Sequence, residues 1–215
     1  VSSIILECDL GKYTATYSDI ALGAGILPVG FERTYSSENG WFFAFEANIA
    51  EYTNGYVFTD FYGNKQYYII NNEGKYISAN GSELQVNEGT LLGTAYSYAV
   101  SYGEIDCYFN QEGRLAIVRD NYNTATYSWT NNNIYITDEA NNINTIRLSN
   151  GKPVYISATR FDTQTNTTLS KNIQYEWTDE KLVSFIDAAN IEHTYEYTNG
   201  LLTKNDDENI TYSAD

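Results

Sequence analysis

His193 is the one histidine in a chain of 215 residues, and histidine is the side chain that most readily exchanges a proton near neutral pH. Asp187, close upstream, could orient it as a catalytic base. A base also needs a nucleophile to activate. The chain carries no GxSxG segment, the strained turn that presents a serine to its base, and Cys107 with His193 is a pairing of two lone residues rather than a motif. The plainer reading is a surface or hydrogen-bonded structural histidine, on the strand face opposite Tyr195 and Tyr197.

Oxygen ligands suggest a second chemistry. Asp206, Asp207 and Glu208 would together offer a calcium ion several carboxylate oxygens. They lack the alternating spacing with which a calcium loop surrounds its ion, and Asp or Asn in a turn is accounted for by bonds to its own backbone. Cys8 and Cys107 have no CxxC spacing for a metal. They read as two half-buried thiols, with a long-range disulfide as the alternative. No catalytic, cofactor-binding or metal-ligating residue is therefore assigned, and a non-enzymatic chain is expected, with calcium near Asp206, Asp207 and Glu208 as the one cofactor candidate.

Charge narrows the partners. The formal net charge is −16, whereas a nucleic-acid partner needs clustered Lys and Arg to neutralise phosphate; an anionic membrane surface is disfavoured for the same reason. No apolar run is long enough to span a bilayer and no signal peptide is present, so no membrane insertion is expected. The absence of Met, even at position 1, suggests a processed product or an excised fragment.

The elements that must position these residues read as short strands. Twenty-one Tyr, nine Phe and three Trp beside two Pro favour strands with many turns. YEYTNGLLTKNDDENITY (Tyr195 to Tyr212) has the form of a hairpin unit. Tyr195 and Tyr197 share a face, Asn199-Gly200 accepts positive φ in a tight turn, and Leu201 to Thr203 returns. Asp206 to Asn209 reverses again before Ile210 to Tyr212. Turn residues fall at Gly55, Gly74, Gly113, Asn132, Gly151, Glu180 and Gly200, in steps of 19, 39, 19, 19, 29 and 20. The 39 is two periods with Gly93 near the middle, and the 29 carries an insertion placed at Asp162 to Thr168. Second turns keep a spacing of three at Asp60/Gly63, Asp120/Asn123, Asp138/Asn141, Asp187/Asn190 and Asp206/Asn209.

Strand chemistry recurs with the turns. Tyr127-Ser-Trp129-Thr130, Tyr175-Glu-Trp177-Thr178 and Tyr195-Glu-Tyr197-Thr198 are three copies of one strand. Leu115/Ile117, Val154/Ile156 and Leu182 with Ser184 and Ile186 are expected to occupy equivalent inward positions, with Val183 and Phe185 facing the other way. A unit of this size cannot bury its apolar face alone and must stack on neighbours.

LPVGFERTYSS (Leu27 to Ser37), with Leu27, Val29 and Phe31 in alternation and Arg33 and Tyr35 after them, is followed by Trp41, Phe42, Phe43 and Phe45. This pattern, LPxxFxRTYxS before an aromatic run, resembles the opening domain of RHS/YD-repeat proteins. The hairpin that follows in that family is matched by Thr59 to Asn64 and the strand Gln66 to Ile70, and the downstream units resemble divergent YD repeats in which Thr replaces the family's Tyr-Asp pair. The family's Asp-Pro cleavage motif and toxin have no counterpart in these residues. The resemblance implies a continuous spiral of β-sheet, which in toxin-bearing members forms a shell around a C-terminal cargo.

The expected fold is therefore all-β, with stacked antiparallel β-hairpins forming a continuous curved or spiralling, solenoid-like sheet. It divides into an RHS-type opening or capping domain over residues 1–70, degenerate repeats over 71–107 and divergent YD-like repeats over 108–215. The expected function is a non-catalytic structural scaffold, part of a secreted or cell-surface bacterial shell, filament or adhesin. Its partners would be further repeats or other copies docking on the C-terminal sheet edge, and a toxin cargo or a surface glycan. The alternative is a carbohydrate-binding module using rows of Tyr and Trp.

Overall fold

Alternating apolar and polar residues, broken every few positions by Asn, Asp and Gly, produce strands and turns throughout. The computed structural model describes residues 5–9, 12–20, 31–162, 164–206 and 208–210, with side chains from Tyr13 onward. Strands β1 (Ile5–Asp9), β2 (Lys12–Ser18), β3 (Glu32–Ser36) and β4 (Gly40–Phe43) form a small antiparallel sheet. A 3-10 turn at Ala44–Glu46 leads into a long antiparallel ladder. Its strands are β5 (Asn48–Tyr52), β6 (Gly55–Thr59), β7 (Lys65–Ile70), β8 (Tyr76–Ser78), β9 (Glu83–Leu91), β10 (Thr94–Tyr102), β11 (Ile105–Phe109), β12 (Leu115–Arg119), β13 (Thr124–Trp129), β14 (Asn133–Asp138), β15 (Ile143–Ser149), β16 (Lys152–Asp162), β17 (Thr167–Thr178), β18 (Lys181–Ile186), β19 (Glu192–Thr198), β20 (Leu201–Asn205) and β21 (Glu208–Asn209). Among the described residues there is no α-helix, so none is long and apolar enough to cross a membrane.

Each ladder strand pairs with its neighbour in sequence. The expected solenoid-like stack is thus corrected to a meander, with strands side by side in a sheet rather than coils one above another. The meander bends back on itself. Ile49 of β5 donates its N–H to the Gly113 carbonyl at 2.9 Å, and a Cβ on Gly113 would overlap the Ile49 carbonyl oxygen, so only glycine permits this approach. The sheets divide at residues 44–47, and the ladder passes residues 70 and 107 without a break.

Both series of turns follow from the meander, because alternate turns lie at the same end. Asn150-Gly151, Asp179-Glu180 and Asn199-Gly200 hold positive φ at both positions, the mirror-image turn that suits strand twist. At Asp60, Asp138 and Asp187 a carboxylate accepts amides further along the turn, while Gly63, Asn141 and Asn190 take the left-handed position. The spacing of three fails at Asp206. Asn209 lies inside β21 opposite Lys204, and the Asp206 N–H donates sideways to the Thr194 carbonyl at 2.9 Å. The 29-residue step is a lengthened hairpin, with β16 at 11 and β17 at 12 residues. Leu27 to Gly30, Asp207, Thr211 and Tyr212 lie outside the described residues.

One expectation about strand faces is overturned. Register shifts lie between Leu115 and Ile117, Pro153 and Tyr155, Leu182 and Ser184, and Leu202 and Lys204. Each is a bulge with one extra residue, after which the alternation flips. The buried pairs are consequently Pro153/Ile156 and Leu182/Phe185. Phe185 faces the core, and Val154 is the extra residue rather than the inward one. Tyr127, Tyr175 and Tyr195 all point inward, each 5% exposed.

The small sheet closes over the later hairpins. Trp41, Phe43 and Phe45 are buried. Trp41 meets Tyr195 edge-on at 5.1 Å between ring centroids, and Phe43 meets Tyr175 at 5.4 Å. Backbone and side-chain donors from the last hairpin reach back as well. The Leu202 N–H donates to the Tyr35 hydroxyl at 2.8 Å, and the Asn205 amide to the Tyr17 hydroxyl at 2.9 Å.

Candidate functional site: a boxed arginine beside braced aromatics

Arg33 lies on the buried row of β3 between Phe31 and Tyr35 because the alternation of the FERTY segment sends all three inward. Its side chain is 0% exposed and that of Asp19 is 2%. The Arg33 Nε donates to Asp19 Oδ2 at 2.7 Å, and the Tyr175 hydroxyl donates to the same oxygen at 2.6 Å. Among the described residues, Nη1 and Nη2 have no hydrogen-bond acceptor. Aromatic faces stand in for one. The guanidinium carbon lies 4.3 Å from the Phe185 centroid, 4.6 Å from Tyr17, 4.7 Å from Trp41 and 5.5 Å from Tyr195, within the range where a cation is attracted to a ring face. Burial works against the charged guanidinium, but Asp19 outweighs it and Arg33 holds its proton more tightly than usual. Burial raises the Tyr175 hydroxyl well above its ordinary value, reinforced by the Asp19 charge. These groups are fixed donors and not exchangers of protons at neutral pH.

Along the ladder, the expected row of Trp129, Trp177 and Tyr197 is present, and each ring is braced in the same way. The Trp129 Nε1–H donates to the Leu115 carbonyl at 2.7 Å, the Trp177 Nε1–H to the Pro153 carbonyl at 2.7 Å, and the Tyr197 hydroxyl to the Leu182 carbonyl at 2.8 Å. A cation from the residue just before that carbonyl lies over each ring. Arg114 is 5.4 Å from Trp129, Lys152 5.4 Å from Trp177 and Lys181 5.5 Å from Tyr197. Burial pushes the Tyr197 hydroxyl up to about 12, moderated by the N–H of Trp41, which donates to it at 2.7 Å. Sequence reading found the aromatics and missed the cations, although Gly-Arg-Leu, Gly-Lys-Pro and Glu-Lys-Leu lead into the three return strands.

His193 is brought to two carboxylates. Its Nδ1 lies 2.6 Å from Asp206 Oδ2 and its Nε2 3.4 Å from Asp187 Oδ2, and the ring stacks on Phe185 at 4.5 Å. Although partial burial opposes it, the amides of Ile191 and Ala189 and the His193 ring hold the Asp187 carboxyl below its usual range. Asp206 also accepts the Thr194 N–H at 2.8 Å. No nucleophile joins this trio among the described residues. Cys107 sits apart in β11, fully buried rather than half-buried and not in a disulfide; burial pushes its thiol up. The Cys8 side chain lies outside the described residues. Of the calcium candidates, Asp206 is engaged as above, Glu208 is exposed, and Asp207 lies outside the described residues.

No family model matches this sequence, and no curated protein matches it.

Proposed function

We propose that the chain is a non-catalytic structural scaffold of RHS/YD-repeat type, built as an open, spiralling strip of antiparallel hairpins. The observation that carries this reading is the recurring brace, in which an aromatic donor captures a backbone carbonyl and a cation covers its ring. It spends three aromatic side chains, three cations and three carbonyls on holding neighbouring strands of the ladder in fixed register, which is what a wall requires. The bend that brings β5 against residues 113–114 supports the spiral. Residues 1–70 act as the opening domain, 71–107 as degenerate repeats and 108–215 as YD-like repeats. Further repeats or another copy dock on the C-terminal edge beyond β21, with a toxin cargo or surface glycan as further partner, outside a bacterial cell or on its surface.

One observation favours the alternative, a carbohydrate-binding module. Tyr52 and Tyr67 are 53% and 44% exposed with centroids 4.9 Å apart, and exposed Tyr rings suit the apolar face of a sugar. The braced Trp129 and Trp177 do not suit it, since their ring faces carry Arg114 and Lys152. A glycan array with Tyr67→Ala and Trp177→Ala separates the two. The scaffold reading expects no glycan binding and a stability loss confined to Trp177→Ala. Binding abolished by Tyr67→Ala at unchanged stability would replace it with the module.

A further inference from the structure

The hairpin of β16 and β17 outruns its neighbours, and its two edges are finished differently. β15 pairs with β16 only as far as Thr145↔Ser157. Beyond that point side chains take over the edge. Asn144 Oδ1 accepts the Thr159 N–H at 2.9 Å, Asn142 Oδ1 accepts the Phe161 N–H at 2.8 Å, and the Ile143 carbonyl accepts the Thr159 hydroxyl at 2.6 Å. Asn144 is 0% exposed, so a buried side chain is committed to closing this edge.

The other edge is left open. Because Thr159 and Phe161 point their amides away from β17, the residues opposite them, Ser170 and Thr168, must also point their backbone groups away from β16. Asn172, opposite Ser157, belongs to the same set. This row is the one that pairs with β18, starting at Gln174↔Ile186. From Asn172 back to Thr168 no strand pairs with it among the described residues, and Thr167 through Asn172 are all exposed. The stretch contains no proline and no register shift, two devices that commonly blunt an edge.

We propose that this edge pairs with the same edge of a second copy of the chain, antiparallel and about a two-fold axis through Ser170. Outward-facing residues must meet outward-facing residues in an antiparallel pair. That rule allows a register centred on Ser170, the middle of the open row, which sets Thr168 opposite Asn172 and Leu169 opposite Lys171. No like charges then face each other, and Leu169 lies along the aliphatic stem of Lys171. Repulsion at the contact itself is small: in a chain of net charge −16, residues 157–172 carry Arg160, Asp162 and Lys171 as their only charged side chains, and salt screens the bodies beyond about 8 Å. The contact is smaller than a permanent interface, so association depends on concentration. This edge is distinct from the C-terminal one and does not depend on the family reading.

Ser170→Pro tests it. Proline removes one outward N–H and is tolerated where that side of a strand faces solvent. Sedimentation from micromolar to millimolar concentration should show the parent moving from one copy to two. The variant, with unchanged circular dichroism, should associate roughly tenfold more weakly or less. In the parent, hydrogen exchange at Thr168 and Ser170 should slow as concentration rises, while Leu169, whose amide faces β16, is slow throughout; this readout needs no variant. A parent monomeric at millimolar concentration, a variant that associates equally well, or protection that appears only with an added foreign strand would each overturn the proposal.

Discussion

Replacing Arg33 with Met keeps most of the side-chain volume inside the box of rings and removes the charge. Asp19, 2% exposed, would lose its cation and keep the Tyr175 hydroxyl as a neutral donor at 2.6 Å. Removing one member of a buried pair costs about 3 to 5 kcal/mol, because the remaining charge is left uncompensated. The ring contacts contribute less, since Met retains apolar contact with the same faces. In a domain of this size that loss corresponds to a fall in melting temperature of roughly 6 to 20 °C. Urea unfolding followed by tryptophan fluorescence measures it, with Trp41 inside the box as reporter. Adding Asp19→Asn to the variant removes the stranded charge, so the double variant should recover at least about 1.5 kcal/mol of the loss, a coupling well outside the scatter for independent sites. If Arg33→Met costs under about 1 kcal/mol, or if the two losses simply add, the pair does not hold the small sheet to the ladder and the reasoning fails.

Three further outcomes are expected. Trp177→Ala should cost about 3 kcal/mol, at the lower end for a large aromatic because the ring is half-buried, and Trp177→Phe about 1 to 2 kcal/mol from the unpaired Pro153 carbonyl, both read from urea midpoints. Burial raises the Glu46 carboxyl above 4.5, though the Phe43 amide and Lys152 oppose it; since the folded state then holds the proton more tightly, stability should decline as pH rises from 4.5 through the raised value, and Glu46→Gln should flatten that decline in melts taken across the range. Chelator should leave the melting temperature unchanged, because the Asp206 carboxylate already accepts the Thr194 N–H and meets His193; a fall of many degrees would reveal a structural ion.

Turn chemistry was the most legible part of the sequence, because it is local. An Asn-Gly or an Asp three residues before Gly or Asn determines its own backbone from its own side chain, and apart from Asp206 and Asn209 those positions fell at turns that alternate between the two ends of the ladder. Strand faces were legible only up to a bulge. The alternation from Lys181 to Ile186 looks unbroken in sequence, yet the extra residue after Leu182 turns Phe185 inward. A spacing of three between the buried residues, Leu182 and Phe185 or Pro153 and Ile156, was the available signal. The Arg33 box was not legible, because it gathers Asp19, Arg33, Tyr175, Phe185 and Tyr195 from strands distant in sequence, and no local pattern encodes such a meeting.

The two kinds of order have different physical origins. Hairpin contacts close short loops at little entropic cost, and each braced aromatic joins residues 14, 24 or 15 apart. Such a ladder could add or lose hairpins without losing its geometry. The bonds from Trp41 to Tyr197, Tyr35 to Leu202 and Tyr17 to Asn205 span 156, 167 and 188 residues, and they use donors and acceptors found only at this junction. A buried ion pair contributes little net stability against a well-packed apolar alternative, so Arg33 and Asp19 are better understood as fixing which hairpins the small sheet covers. An apolar sheet face would pack on any of the similar inward rows of Tyr127, Tyr175 and Tyr195. Tyr175 alone among these three donates its hydroxyl to Asp19, and that bond sets the position at which the small sheet stops.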